Sequence, residues 1–232
     1  DEDIFLMILK ILEDIISFAK FANIKTIISI GDSPSIFFKI LDTININNKI
    51  NIKYLPISGI NLRISDKFLS SKLKELNDII TDKMLFDKIL WVDFLASGNT
   101  FLKFHNNLPK RIKDFSYYYC YGYPTYFPGM NSPEKFLNKF ELEVHNLLGK
   151  LKNEKKLYYL NIPKTNLFQQ FIRKIIGNSD NYFIRCVKKS LVDSNYKIEL
   201  YNDIPLKYNT STNNKYCMNI VNGIIEILEN SY

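Results

Sequence analysis

Apolar residues recur at helical spacing between residues 3 and 21, at Ile4, Ile8, Ile11, Leu12, Ile15, Ile16 and Ala19. Asp1, Glu2 and Asp3 stand where a helix dipole favours negative charge. Residues 25–30 then form a β-branched run closed by Gly31, the pattern of a buried strand. Asp32, Ser33, Pro34 and Ser35 supply turn and capping chemistry before a helix through Ile36, Phe37, Ile40 and Leu41. A second strand is expected over residues 51–55 and a helix over 65–80, with Phe68, Leu69, Leu73, Leu76 and Ile79 on its apolar face. Residues 88–92 read as a third strand with almost no polar alternation, which is what a strand covered on both faces requires. Ser97 to Thr100 opens a helix running to about Leu108, and residues 115–121 form a fourth strand.

This alternation of helix and strand predicts an α/β fold, a Rossmann-like parallel sheet flanked by helices. Right-handed crossovers place the turns that follow the strands along one edge, where such sheets bind ligands. The core is expected over residues 1–125. Residues 126–232 are expected to be a mostly helical region packed on it, with helices near 134–151, 166–176, 182–191 and 216–228 and a short strand at 196–201.

Two strand-to-helix turns carry the candidate chemistry. In the first, Asp93 ends the third strand, and Ala96, Ser97, Gly98, Asn99 and Thr100 lead into a helix. A helix N-terminus, two hydroxyls and a glycine that permits close backbone approach suit a phosphate group. Asp93 is placed to accept hydrogen bonds from sugar hydroxyls attached to it. The second turn, at the end of the first strand, holds Gly31, Asp32, Ser33 and Ser35.

The stretch from Ile89 to Thr100 resembles the phosphoribosyl pyrophosphate (PRPP) motif of the type I phosphoribosyltransferases. There a hydrophobic strand ends in two acids and is followed by a hydroxyl-Gly-x-Thr loop. The resemblance covers about the first 125 residues and implies a phosphoribosyltransferase-like core. Ala96 to Thr100 would hold the 5′-phosphate, Asp93 the ribose, and Gly31, Asp32, Ser33 and Ser35 the pyrophosphate, which arrives with Mg²⁺. An active member transfers phosphoribosyl between PRPP and a base, with Asp93 at the reacting sugar. Val92 stands where the motif carries its first acid, so one ribose contact is missing. A non-catalytic domain of the same fold, binding a nucleotide or a protein, is therefore the alternative.

Other motifs change the picture less. Gly31-Asp-Ser33 also matches the start of the GDS-type esterases, but neither His105 nor His145 sits in the Asp-x-x-His pattern that reading needs. His105 is expected at the surface, and plain helix capping would also account for Ser97 or Thr100. Cys120, Cys186 and Cys217 form no metal-ligand spacing and suit a reducing, cytoplasmic setting. The formal charge of +7 favours anionic partners, here a phosphorylated small molecule. The Lys-rich stretches at 109–113 and 150–156 are expected to be solvated surface rather than a nucleic-acid footprint. Residues 4–12 are too short an apolar run to span a membrane, and the acidic opening is unlike a secretory leader. Nothing in the pattern fixes whether the chain forms an oligomer.

Overall fold

The computed structural model describes residues 2–31, 37, 40–42, 50–55, 66–95, 98–122, 137–162, 198–200, 219 and 222–227. Five strands, β1 (Thr26–Ile30), β2 (Asn51–Leu55), β3 (Ile89–Leu95), β4 (Ser116–Gly122) and β5 (Leu157–Asn161), form one sheet in the order β2-β1-β3-β4-β5. Every pairing is parallel. Helices cover both faces, so the chain adopts the expected α/β fold.

One face is covered by α1 (Glu2–Phe21), whose Ile4, Ile8, Ile11, Leu12, Ile15 and Ala19 are buried against Ile27, Leu90, Val92, Tyr119 and Tyr121. Phe37, Ile40 and Leu41, helical as expected, join the same layer, as does Ile224 from the helical residues 222–227. The other face is covered by α2 (Asp66–Lys74), α3 (Leu76–Ile79), α4 (Asp82–Phe86), α5 (Asn99–Asn107), α6 (Lys110–Asp114) and α7 (Lys139–Asn153). Their apolar residues pack on Ile28, Ile30, Trp91, Leu95, Tyr118 and Cys120. Because both faces are covered, β3 and β4 are buried almost throughout.

Three elements depart from the sequence-based expectation. The helix expected over 65–80 is divided at Glu75, whose N–H bonds three residues back to Lys72 O (3.0 Å). The Glu75 carboxylate is engaged twice, accepting from Lys72 Nζ at 3.1 Å and from the Ile198 N–H at 2.9 Å. That second bond falls in the segment expected to be a strand, and residues 198–200 carry no strand. A fifth strand arises instead at Leu157–Asn161, in a stretch where no strand is expected. It is the half-exposed edge of the sheet beside β4. The expected helices at 166–176 and 182–191 lie outside the described residues.

The connection from α7 to β5 explains why this strand is hard to read. The helix starts at a capping box, with Asn138 accepting from Glu141 N and the Glu141 carboxylate accepting from Asn138 N, both at 2.9 Å. It ends in a Schellman turn, with Lys155 N donating to Lys152 O and Lys156 N to Leu151 O. The left-handed residue of that turn is Lys155, at φ 56°, where a glycine would be the usual signal. Lys155→Gly is expected to raise stability by about 1 kcal/mol by relieving the left-handed strain. Urea unfolding checks it through an upward shift of the midpoint at constant m-value.

Candidate functional site

β1 and β3 are adjacent, with Thr26 opposite Ile89 and Ser29 opposite Val92. From β1 the chain moves outward to β2, then crosses back over β1 to β3 and continues to β4 and β5. The connections that leave β1 and β3 thus diverge, and their carboxyl ends form the sheet's topological switch point. Both candidate turns begin there.

One residue past the Ser29–Val92 pair stand Ile30 and Asp93. The chain leaves β1 at Gly31, whose φ of 70° makes the turn, while its N–H donates to Leu55 O at 2.9 Å. The Ser29 hydroxyl donates to Gly31 O at 3.2 Å. Asp32, Ser33 and Ser35 lie outside the described residues.

On β3, Asp93 alternates with Trp91 and Leu95 and so shares the face that α5 covers. Its side chain is 6% exposed, and Oδ2 has no hydrogen-bond partner among the described residues. Burial pushes its carboxyl up to about 7, opposed only by a hydrogen bond from the Phe94 backbone. Asp93 lies beside Cys120 on β4, and its charge adds to burial in raising the Cys120 thiol and the Tyr121 hydroxyl. Val92 points to the opposite face and is fully buried in the layer under α1. An acid at that position would sit among isoleucines and tyrosines, so packing has taken the place of the motif's first carboxylate.

Ala96 and Ser97 lie outside the described residues, whereas Gly98, Asn99 and Thr100 are described. Gly98, at φ 72°, is the N-cap of α5, and its carbonyl accepts the first helical bond from Leu102 N at 2.9 Å. A glycine cap brings no side-chain oxygen to the helix N-terminus, so neither Ser97 nor Thr100 is the N-cap residue. Asn99 and Thr100 form the first turn and are half-buried. Asp93, Gly31 and the start of α5 therefore all belong to the carboxyl ends of two adjacent strands.

His105 is not at the surface. It is 8% exposed, with Nδ1 2.9 Å from the Tyr118 hydroxyl and its ring stacked on Phe101 one helical turn earlier. The i, i+4 spacing of Phe101 and His105 sets both against the sheet. Burial, with Lys113, Lys150 and Lys156 nearby, brings its imidazole down to about 4, so it is neutral at physiological pH. The aromatic run on β4 is likewise spent in packing. Tyr118 and Cys120 enter one core layer, Tyr119 and Tyr121 the other. Tyr119 stacks on Tyr158 of β5 at 5.3 Å and is fully buried, so it presents no face to a nucleobase.

Sequence reasoning missed Gly122, the last residue of β4. It pairs with Leu95 at φ 155°, and a Cβ there would lie 2.0 Å from Leu95 O. The signal was available, since a glycine closing a strand beside a candidate loop marks close backbone approach. The basic stretches are tied into the fold: the Arg111 guanidinium pairs with Asp82, and Lys156 Nζ donates to Asp114 O at 3.0 Å. Among the described residues no three His, Cys, Asp or Glu side chains gather as a metal site. Nor is any described helix long and apolar enough to cross a membrane.

Fold and topology together define a doubly wound, all-parallel α/β domain with a switch point between β1 and β3. Compared with protein-family models, with curated proteins and with solved structures, the chain matches none.

Proposed function

We propose that the chain binds PRPP, or the 5′-phosphate of a nucleotide, at the carboxyl ends of β1 and β3. The observation that carries this reading is Asp93. A buried carboxyl whose Oδ2 has no partner among the described residues weakens the fold, and such groups are kept where a ligand completes them. Ribose hydroxyls would supply the missing donors. The N–H groups of the α5 N-terminus, with Ser97 and Thr100, would hold the 5′-phosphate, and the Gly31 to Ser35 turn would face the pyrophosphate. Mg²⁺ would arrive on the pyrophosphate, consistent with one protein carboxylate rather than a dedicated cage.

If the chain turns over, the reaction is phosphoribosyl transfer between PRPP and a base. Positioning and stabilisation of developing charge would supply most of the acceleration. Val92 favours the second reading, a module that binds the same ligand without turnover. Titration calorimetry with PRPP and Mg²⁺ tests both. Micromolar binding is expected, weakened at least tenfold by Ser97→Ala/Thr100→Ala, a loss of about 1.4 kcal/mol or more. Absence of binding to the natural chain sinks the proposal. Binding without pyrophosphate release, across a panel of purine and pyrimidine bases, assigns the module.

A further inference from the structure

The opposite edge of the sheet holds a cleft of about 570 Å³ at the amino ends of β1 and β2. It shares no residue with the switch point. Three lysines from three elements line it: Lys25 ahead of β1, Lys53 on β2 and Lys83 on α4. Asn51 and Thr81 add polar groups, and Asp87 is the one carboxylate among the described lining side chains. Among the described residues neither Lys25 nor Lys83 has an ion-pair partner, and both are exposed. Ile79, Met84 and Leu200 give the cleft an apolar wall.

Its walls are tied together through the main chain. Lys25 N donates to Asp87 O at 2.9 Å, and Asn51 N donates to Lys25 O at 2.7 Å. Thr81 caps α4 by accepting from Met84 N at 3.3 Å. The cleft is therefore formed without a ligand, and its volume lies in the range of small-molecule sites. Lys25 and Lys83, set against one carboxylate among the described lining residues, favour an anion. Lysines act as point charges that can surround a tetrahedral oxyanion, whereas a planar carboxylate is best held by the fork of an arginine, and no arginine is among the described lining residues. A bare phosphate would leave the apolar wall unused.

We infer that this cleft is a second ligand site, for a small organic phosphate or pyrophosphate ester, with Lys25 and Lys83 on the anion and the apolar wall on the organic part. Inorganic pyrophosphate is the probe, titrated calorimetrically into the full chain, into Lys25→Gln/Lys83→Gln and into the switch-point variant Ser33→Ala/Ser35→Ala. The natural chain is expected to bind at submillimolar concentration. The lysine pair variant should weaken that binding at least tenfold (about 1.4 kcal/mol), while the switch-point variant retains it. Both lysines are exposed, so the fold tolerates the exchange. An unchanged affinity in the lysine variant, or no binding to the natural chain at about 10 mM, overturns the inference. Loss only in Ser33→Ala/Ser35→Ala also overturns it, and assigns the pyrophosphate to the switch point instead. Equal binding of tricarballylate reduces the site to diffuse charge and overturns the phosphate assignment.

Discussion

At pH 8 the Asp93→Asn variant is expected to melt about 4–8 °C above the natural chain while binding PRPP with Mg²⁺ at least tenfold more weakly. Asp93 holds its proton more tightly in the fold than in the unfolded chain, because burial raises its carboxyl to about 7. Its contribution is therefore harmless at low pH, turns unfavourable as pH rises from about 4 through 7, and is fully unfavourable above that. The full cost is on the order of 4 kcal/mol. The amide takes no charge, but its buried N–H groups cost something of their own, so a net gain of about 2 kcal/mol is expected. A gain in stability coupled to a loss of binding is the signature of a residue kept for its ligand. A variant that is both less stable and unaltered in binding would return Asp93 to a structural role.

The pH profile separates this group from His105. The imidazole falls to about 4 in the fold, so protonation favours the unfolded chain, and stability drops as pH falls from about 6.5 through 4. The two groups act in nearly the same window with opposite sign, so their slopes largely cancel and the natural chain should show little net slope there. Removing one exposes the other: Asp93→Asn should gain stability as pH rises from 4 to 6.5, and His105→Gln should lose it. Melting temperatures measured at half-unit pH steps distinguish the two slopes.

Gly122→Ala is expected to destabilise the fold by about 4 kcal/mol, a fall of roughly 8–16 °C in melting temperature. The new Cβ would meet the Leu95 carbonyl oxygen at 2.0 Å, and a backbone atom cannot turn aside as a flexible side chain would. Relief requires β4 to move from β3, the strand that carries Asp93. The φ of 155° adds strain that any L side chain would feel. Thermal unfolding by circular dichroism reads the loss, and a melting temperature within 2 °C of the natural chain would mean that the strands accommodate the methyl group.

The sheet was legible because its chemistry is monotonous. Strands buried on both faces need unbroken apolar runs, and residues 89–92 and 117–121 supply them. The turns after β1 and β3 were legible through Gly31 and Gly98, both of which adopt the left-handed backbone their residue type permits. β5 was not legible, because Lys155 takes a left-handed position without the glycine that would mark it. His105 was misplaced because a lone histidine among Lys and Asn resembles surface. Its burial depends on Tyr118, a residue on another element whose hydroxyl meets its ring. The isolation of Asp93 could not be read at all, since whether a carboxylate finds a donor is decided by tertiary packing.

The strand order also dictates a timetable. Ile89 meets Ser116 across a short connection, whereas Thr26 must wait for Ile89, more than twice as far along the chain. Closing the longer loop costs more entropy, so the β3–α5–α6–β4 unit, with Trp91 Nε1 donating to Ser116 Oγ at 2.8 Å and its ring edge-on to Phe104, is expected to form before β1 joins β3. During synthesis, α1, β1 and β2 leave the ribosome before that unit exists. Until β3 arrives they present one unpaired edge of β1 and an uncovered apolar helix face. A nascent chain stalled before residue 89 should therefore engage chaperones, and one that has passed residue 122 should release them.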